Sequence, residues 1–213
     1  MRAAFDFDAV ANNKFSGLYA YGRGLFKGFR KLAADIDAKL VYSKLVSEKV
    51  SPLKADYPDH VQLRLMLVKR RRLEKLWRHI EYPPLQWLIG NFDLYHCLYN
   101  FMPPTAGKPC VMTVHDMRRY KLPELCGSPK LWRFERGYAR ADRFIAVSQS
   151  TKNDLCQLFS ISQEKVDVIH LAADECLSPL SQDDKNRLKA KFSEQMKIPL
   201  DRFLIAVSSF DIR

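Results

Sequence analysis

The sequence lacks any long uninterrupted hydrophobic run. No stretch approaches the roughly 18 consecutive apolar residues that a membrane-spanning helix needs. The N-terminus, MRAAFDFDAVANNKFSG, also lacks the apolar run of a secretory signal. These absences predict a cytoplasmic protein, with peripheral attachment at the inner face of the membrane as the alternative to a freely diffusing one.

Cysteines are few and follow no pattern. Their number is odd and no two have the CxxC spacing, so the sequence predicts neither a disulfide framework nor a zinc site. We therefore expect the cysteines to serve as small apolar side chains in a reducing compartment, and to bind no metal. The cysteines are Cys97, Cys110, Cys126, Cys156 and Cys176.

Acidic residues are outnumbered. The chain has 35 Lys and Arg against 24 Asp and Glu, which gives a formal net charge of +11. This excess favours anionic partners such as nucleic acid, acidic lipid or phosphorylated ligands, but it does not choose among them. Because 47% of the residues are hydrophobic and 12% are aromatic, the chain can bury a core, which excludes disorder as its main state.

Short apolar runs alternate with longer helical stretches along the whole chain. This alternation predicts an α/β fold, a Rossmann-like and mostly parallel sheet with helices on both faces. The predicted strands are residues 3–7, 39–42, 94–98, 110–114, 144–147, 166–170 and 203–207. The predicted helices are residues 17–34, 63–80, 130–140, 149–159 and 183–196.

The last apolar run has little chain after it to pack against. We therefore expect residues 201–213 to be the opening strand of a second domain. Residues 173–200 are polar and contain Pro179 and Pro199, as is typical of a connector. The predicted organisation is thus a domain over residues 1–172, a connector over 173–200 and a partial second domain over 201–213.

A glycine stands where the first long helix is predicted to begin, in the segment FSGLYAYGRGLFKGF. Glycine lets backbone N–H groups approach a phosphate that also feels the helix dipole, so Ser16, Gly17 and Leu18 form a candidate phosphate loop. A plain turn is the alternative. The GxGxxxG pattern that starts at Gly22 also approximates a dinucleotide fingerprint, but it begins too far beyond the preceding strand.

Polar residues follow two predicted strands. His96, Tyr99 and Asn100 lie where DLYHCLYN leaves one strand, and His115 and Asp116 end the strand of KPCVMTVHD. The carboxyl ends of parallel strands line the ligand cleft of open α/β sheets. These residues are therefore candidate site residues, and a neutral imidazole can donate or accept a hydrogen bond at a sugar hydroxyl. The alternatives are a core histidine for His96 and simple strand termination for the His–Asp pair.

A third strand exit, in RADRFIAVSQSTKNDL, runs straight into a helix. Ser148 is predicted to be the N-cap of that helix. Ser150 and Lys152 are weaker candidates for ligand contact. Asp142 is an expected partner of Arg140 or Arg143.

The segment LRLMLVKRRRLEKLWRHI is predicted to be a basic amphipathic helix. Such a helix can lie on an anionic membrane or against nucleic acid, and a packed helix with a solvated charged face is the alternative. Arg70 and Glu74 fall within the apolar arc as an expected i,i+4 pair, which spoils a clean membrane face. The candidate membrane or anion patch consists of Arg64, Arg71, Arg72, Lys75 and Arg78.

Five segments, taken in order, carry a family resemblance. They are SGLYAYGRGL, DLYHCLYNFMPP, TVHD with Pro123-Glu124 following, RADRFIAVSQSTKNDL and KVDVIHLAAD. This ordered set resembles the N-terminal domain of family 4 glycosyltransferases, in particular mannosyltransferase-like members that build surface polysaccharides.

The resemblance implies half of a GT-B fold, in which two Rossmann-like domains face each other across a cleft. It implies a retaining transfer, without cofactor or metal, from a nucleotide-sugar such as GDP-mannose or a UDP-sugar to a glycan or lipid-linked acceptor, and no nucleic-acid partner. The loop at Gly17 would approach the donor pyrophosphate and His115 the donor sugar. His96, Tyr99 and Asn100 would border the acceptor.

The sequence departs from the family pattern at its end. In the family, a segment like AVSSFDIR continues into Lys-Asn, whereas here Arg213, a further candidate ligand contact, is the final residue. The later pair of glutamates that holds the donor has no counterpart. We therefore expect half of an enzyme that does not turn over alone. A nucleic-acid-binding or peripheral membrane module without catalysis is the alternative.

Overall fold

A computed structural model describes residues 1–12, 16–32, 36–43, 61–68, 70–99, 102–126, 131–173 and 177–197. The strands are β1 (Arg2–Asp6), β2 (Asp37–Ser43), β3 (Val61–Met66), β4 (Leu94–Cys97), β5 (Cys110–Val114), β6 (Arg143–Ala146) and β7 (Val166–Val168). The helices are α1 (Asp8–Asn12), α2 (Gly17–Leu32), α3 (Arg70–His79), α4 (Leu85–Ile89), α5 (Arg118–Lys121), α6 (Pro123–Cys126), α7 (Leu131–Arg140), α8 (Gln149–Phe159) and α9 (Gln182–Met196). A 3-10 turn, Gln163–Lys165, precedes β7.

The strands form one parallel sheet in the order β3-β2-β1-β4-β5-β6-β7. The predicted α/β fold class is therefore confirmed. Six of the predicted strands are present, and residues 203–207 lie outside the described part of the chain. Because every strand runs the same way, all carboxyl ends meet at one edge of the sheet.

The sheet is covered on both faces, and its two hydrophobic clusters show this. Ala3, Phe5 and Leu40 pack with α1 and α2, whereas the alternating residues Ala4 and Val41 pack in the cluster that holds α3, α4, α7 and α8. Successive side chains of a strand point to opposite faces, so the clusters lie on opposite sides of the sheet. Burial on both sides explains why the strands read as continuous apolar runs.

The predicted helix over residues 63–80 is wrong in its first part. Val61–Met66 form β3, which pairs with β2, and the helix is only α3, Arg70–His79. The segment VQLRL alternates apolar and polar residues with period two, which favours a half-buried edge strand. Leu73 and Trp77 of α3 are buried, whereas Leu67 is exposed in the connection before the helix.

Helix α2 begins at Gly17, as predicted, and contains the three later glycines. The dinucleotide-fingerprint alternative is therefore wrong, because that fingerprint requires its glycines in the turn before the helix. Gly22 instead packs against α1, where an added Cβ would lie 2.7 Å from Val10 Cγ1.

The chain divides into two compact units, residues 1–172 and residues 173–213. The whole sheet belongs to the first unit. Within the second, α9 is capped by Ser181, whose Oγ accepts from the Asp184 N–H. The assignments of a connector and of a second-domain strand remain predictions. No helix among the described residues is long and apolar enough to cross a bilayer.

Candidate active site

A pocket open to solvent lies at the carboxyl edge of the sheet, beyond β4 and β5. Its described lining residues come from the two strand exits and from α5 and α7; they are Tyr99, Val114, His115, Asp116, Arg118, Arg119, Tyr120 and Tyr138. Three predicted site residues, Tyr99, His115 and Asp116, are thus brought together. Asn100 and Arg213, also predicted, lie outside the described residues.

His115 is held at the rim of this pocket by the neighbouring strand exit. Its Nε2 lies 3.0 Å from the carbonyl oxygen of Leu98, which follows β4 directly. Desolvation lowers the pKa of His115 below its usual value of 6.5, although the Leu98 bond and the charge of Asp116 oppose the shift. The imidazole is therefore neutral near pH 7.

Tyr21 contacts His115 from the second turn of α2. The two rings meet edge to face, with centroids 4.9 Å apart and planes at 85°. The Tyr21 hydroxyl lies 3.0 Å from Thr113 Oγ1 on β5. Tyr21 was missed by sequence reasoning, yet it stands four residues after Gly17, one helical turn from the predicted phosphate loop.

His96 is buried beneath the site, with only 5% of its surface exposed. Its Nε2 lies 2.8 Å from Thr113 Oγ1. Burial lowers the pKa of His96 to about 4, and the nearby His115 adds to this shift. Since the described residues of the pocket lining do not include His96, its position favours a supporting role over direct contact with an acceptor.

Two arginines add positive charge beside His115. Arg118 and Arg119 line the pocket, and the Arg118 N–H donates to Asp116 Oδ1 at 3.1 Å, which fixes the turn into α5. Arginines in a pocket favour a phosphate or another anionic group. Sequence reasoning missed both, although the segment HDMRR places them directly after the strand exit.

Gly17, the first residue of α2, is exposed. Ser16 Oγ accepts from the Tyr19 N–H at 3.2 Å, which satisfies one donor of the first turn. A Cβ placed on Gly17 would meet no atom within 4 Å. Since Tyr21 of this helix contacts His115, the N-terminal turns of α2 lie near the same edge of the sheet, and a role of Ser16, Gly17 and Leu18 in binding phosphate stays a prediction.

The exit of β6 has a structural role in the described contacts. Ser148 is the predicted N-cap, since its Oγ accepts from the Thr151 N–H at 3.1 Å. Lys152 Nζ donates to the Val166 carbonyl at 2.7 Å and so ties α8 to β7. Ser150 is exposed in the first turn of α8.

The expected pairing of Asp142 with Arg140 or Arg143 is corrected by the described contacts. Asp142 Oδ2 accepts from the Cys110 N–H at 2.8 Å and thereby caps the start of β5. Arg140 instead pairs with Glu81, and Arg143 pairs with Asp167.

The predicted basic patch does not lie on one helix. Arg72 and Lys75 are exposed on α3, whereas Arg64 belongs to β3, where its guanidinium donates to Gln62 Oε1 at 2.7 Å. The side chains of Arg71 and Arg78 lie outside the described parts of α3. The described residues also contain no group of three His, Cys, Asp or Glu that could hold a metal ion.

Sequence comparison identifies the family to which this site belongs. A sequence model described as Glycosyltransferase Family 4 matches residues 29–175, more than half of the chain. The chain belongs to glycosyltransferase family 4. The matched region of this family 4 chain includes β4, β5 and the pocket between their exits, whereas Gly17 and Tyr21 precede it. No curated protein matches the chain significantly.

Solved structures share the fold of this family 4 chain. Anabaena Alr3699/HepE in complex with UDP-glucose superposes with a TM-score of 0.56 at 18% identity, over 91% of this chain and 50% of that one. The complex of the same protein with UDP superposes with a TM-score of 0.55 at 16% identity, over 90% of this chain and 50% of that one. A glycosyltransferase from Rickettsia africae ESF-5 superposes with a TM-score of 0.52 at 14% identity, over 94% of this chain and 50% of that one. The chain thus spans about half the length of these structures, and at this identity the likeness shows the fold alone.

Proposed function

We propose that the chain is the acceptor-side, N-terminal half of a retaining glycosyltransferase. It would help transfer mannose or a related hexose from GDP-mannose or a UDP-sugar to a glycan or lipid-linked acceptor in surface polysaccharide synthesis. Family membership and the UDP and UDP-glucose complexes of HepE support a nucleotide-sugar donor. The observation that carries the proposal is the position of His115 beside Arg118 and Arg119 in one pocket at the carboxyl edge of the sheet.

Each part of the site has a role in this proposal. His115 contacts the donor sugar, and the adjacent Asp116 fixes the turn that presents Arg118. The open start of α2 at Gly17 approaches the donor pyrophosphate, because helix N-termini attract anions. Tyr99, at the exit of β4, borders the acceptor.

The proposed chemistry requires no protein nucleophile. In a front-face reaction, the acceptor hydroxyl attacks the anomeric carbon as the bond to the donor phosphate breaks, and the leaving phosphate takes the hydroxyl proton. The protein then orients the two substrates and stabilises the negative charge that develops on the leaving group. Arg118, Arg119 and the start of α2 are the groups of this chain suited to that charge.

Ligand titration of the 213-residue chain tests the donor site. We expect UDP-glucose or GDP-mannose to shift the backbone amide NMR signals of residues 115–119 and of the first turn of α2. The double variant Arg118→Ala/Arg119→Ala should weaken this binding about tenfold or more, because each substitution removes a charge-assisted hydrogen bond to the ligand. The matched control Lys165→Ala/Arg187→Ala removes two exposed cations elsewhere and should leave binding unchanged.

Three outcomes would contradict the proposal. The first is that neither nucleotide-sugar shifts the pocket signals even at high ligand concentration, where weak binding to half of the donor site is detectable. The second is that the control variant weakens binding as much as the arginine variant. The third is tight binding of duplex DNA with a steep salt dependence, which would support the nucleic-acid alternative. Separately, we expect the isolated chain to show no robust transfer of labelled sugar to a lipid-linked acceptor, and robust transfer would refute the assignment of half an enzyme.

Attachment to an anionic membrane surface is the second part of the proposal. Trp87 is 69% exposed and Tyr82 is 52% exposed, and their rings stack edge to face with centroids 5.2 Å apart. Trp and Tyr favour the headgroup region of a bilayer, and exposed Lys and Arg, such as Arg72 and Lys75 on α3, are drawn to acidic lipids.

Vesicle sedimentation tests this attachment. Arg72→Glu/Lys75→Glu should reduce binding to vesicles of anionic lipid about tenfold or more, because each nearby cation contributes about 1 kcal/mol. Trp87→Ala should weaken binding to the same vesicles. The charge-matched control Lys165→Glu/Lys185→Glu should bind like the unmodified chain. An equal loss of vesicle binding in both double variants would mean that the net charge of the chain, and not Arg72 and Lys75 in particular, drives the attraction.

A further inference from the structure

The hydrogen bond between His115 and Leu98 determines which ring nitrogen carries the proton. A carbonyl oxygen can only accept, so His115 Nε2, 3.0 Å from the Leu98 oxygen, must bear the N–H. The ring is neutral near pH 7, because burial lowers the pKa of His115. In a neutral imidazole with its proton on Nε2, the other nitrogen, Nδ1, has a lone pair and acts only as an acceptor.

Tyr21 restricts the orientation of this ring. Its edge-to-face contact with His115 spans 4.9 Å between centroids, within the range of favourable ring pairs. The Tyr21 hydroxyl is itself tied to Thr113 Oγ1 at 3.0 Å. Thr113 is fully buried on β5, two residues before His115, so the contact links α2 to the strand that carries the imidazole.

Thr113 also bonds His96, so hydrogen bonds run from Tyr21 through Thr113 to the buried His96. Its Nε2 lies 2.8 Å from Thr113 Oγ1, and burial keeps the ring neutral. The Thr113 hydroxyl has one proton and two lone pairs, so it can bond both His96 and Tyr21. Because His96 and Thr113 are buried and His96 is neutral, protonation near pH 7 does not break the connection from β4 through β5 to α2.

We propose that His96, Thr113 and Tyr21 are positioning residues: they keep the His115 ring oriented towards the Leu98 carbonyl, and that bond holds His115 as the Nε2–H tautomer. Nδ1 of His115 is then the nitrogen left to accept a hydrogen bond from a hydroxyl of the bound sugar. This deepens the proposed function and, for the sugar hydroxyl, rests on it. The positioning itself is a property of the chain without ligand.

Imidazole NMR of the uniformly ¹⁵N-labelled, full 213-residue chain tests the positioning. The chain has five histidines, so few ring signals need assignment, and His115→Gln identifies those of His115. At pH 7 we expect Nε2 of His115 to be protonated and Nδ1 to be unprotonated. Tyr21→Phe and Thr113→Val, which remove the linking hydroxyls, should each raise the population of the minor tautomer roughly fivefold, as expected for the loss of one net hydrogen bond.

Two variants serve as controls. Tyr19→Phe makes the same chemical change on the same helix, and Thr113→Ser keeps the linking hydroxyl; both should preserve the tautomer ratio of the unmodified chain. Backbone amide spectra establish that each variant is folded. The assignment is overturned if His115 is protonated at Nδ1 in the unmodified chain, or if Tyr21→Phe and Thr113→Val leave the ratio unchanged.

Failure of this proposal and failure of the proposed function are distinguishable. The tautomer is measured without any sugar, whereas donor binding is measured by the titration with UDP-glucose and GDP-mannose. With both proposals correct, either donor shifts the His115 Nδ1 signal, and this response weakens in Thr113→Val. If the tautomer is as expected but neither donor shifts Nδ1, the positioning stands and the sugar contact is refuted.

Discussion

His96 and His115 show how position along a parallel strand changes the role of an imidazole. His96 lies within β4, where it is buried beside Phe5 of β1, and Thr113 satisfies its Nε2. His115 lies one residue beyond β5, where the ring reaches the pocket rim and bonds Leu98. Both pKa values are lowered chiefly by desolvation, but His115 is the histidine that a ligand can contact.

The buried His96 should make stability depend on pH. Its folded pKa of about 4 lies below the usual 6.5, so between these values the unfolded state takes up a proton that the folded state does not. The free energy of unfolding therefore falls as the pH drops from 6.5 towards 4, by roughly 3 kcal/mol at most from this residue. Urea unfolding at several pH values measures the slope.

A pair of variants separates His96 from other titrating groups. His96→Gln keeps a hydrogen-bonding side chain but cannot titrate, so its free energy of unfolding should fall less steeply below pH 6.5. His170→Gln removes an exposed imidazole and should retain the slope of the unmodified chain. Identical slopes for His96→Gln and the unmodified chain would show that His96 is not buried in the neutral form.

Sequence alone could place these two histidines at neighbouring strand exits but could not separate their roles. The strand order that puts β4 between β1 and β5 decides which imidazole is enclosed, and it is set by contacts between distant segments. Tyr21 was missed for the same reason, since its partner Thr113 is 92 residues away along the chain.

At the scale of elements, α2 contains glycines that occupy different environments. An added Cβ on Gly22 would meet Val10 Cγ1 at 2.7 Å and Cγ2 at 3.0 Å, so α1 and α2 approach closely there. A Cβ on Gly24 would meet nothing within 4 Å. The spacing of these glycines therefore reflects packing at one position and open surface at the other.

Alanine at these two positions should have opposite effects. Gly22→Ala forces α1 and α2 apart and should lower the free energy of unfolding by about 1–3 kcal/mol. Gly24→Ala adds a better helix former without a clash and should raise it by up to about 1 kcal/mol. Urea unfolding of both variants measures the difference, and stabilisation by Gly22→Ala would show that α1 does not pack as described.

The element boundaries show where sequence patterns were sufficient. The continuous apolar strands and the Ser148 cap were predicted because their signals are local. The error lay within Val61–Met66, where apolar residues at helical spacing predict one long helix over residues 63–80, although the same six residues also alternate with period two. Pairing with β2 decides such a short segment, and pairing is a tertiary interaction.

At the scale of the whole molecule, both hydrophobic clusters found among the described residues belong to the first compact unit. Every residue of both clusters precedes Ala172, and the sheet ends at β7. Helix α9 of the second unit contains no buried residue, and its two large apolar side chains Phe192 and Met196 are at least half exposed. We therefore expect residues 1–172 to be sufficient for the stability of the sheet.

Truncation after Ala172 should leave the core intact. Because both clusters and the sheet hydrogen bonds of the described residues lie before that residue, we expect the shortened chain to unfold at the same urea midpoint as the full chain. Truncation after Ser162 is the contrasting variant: it removes β7 and the buried Val166 and should lower the midpoint clearly. A lower midpoint for the Ala172 truncation would show that residues 173–213 stabilise the sheet and that the two units do not unfold independently.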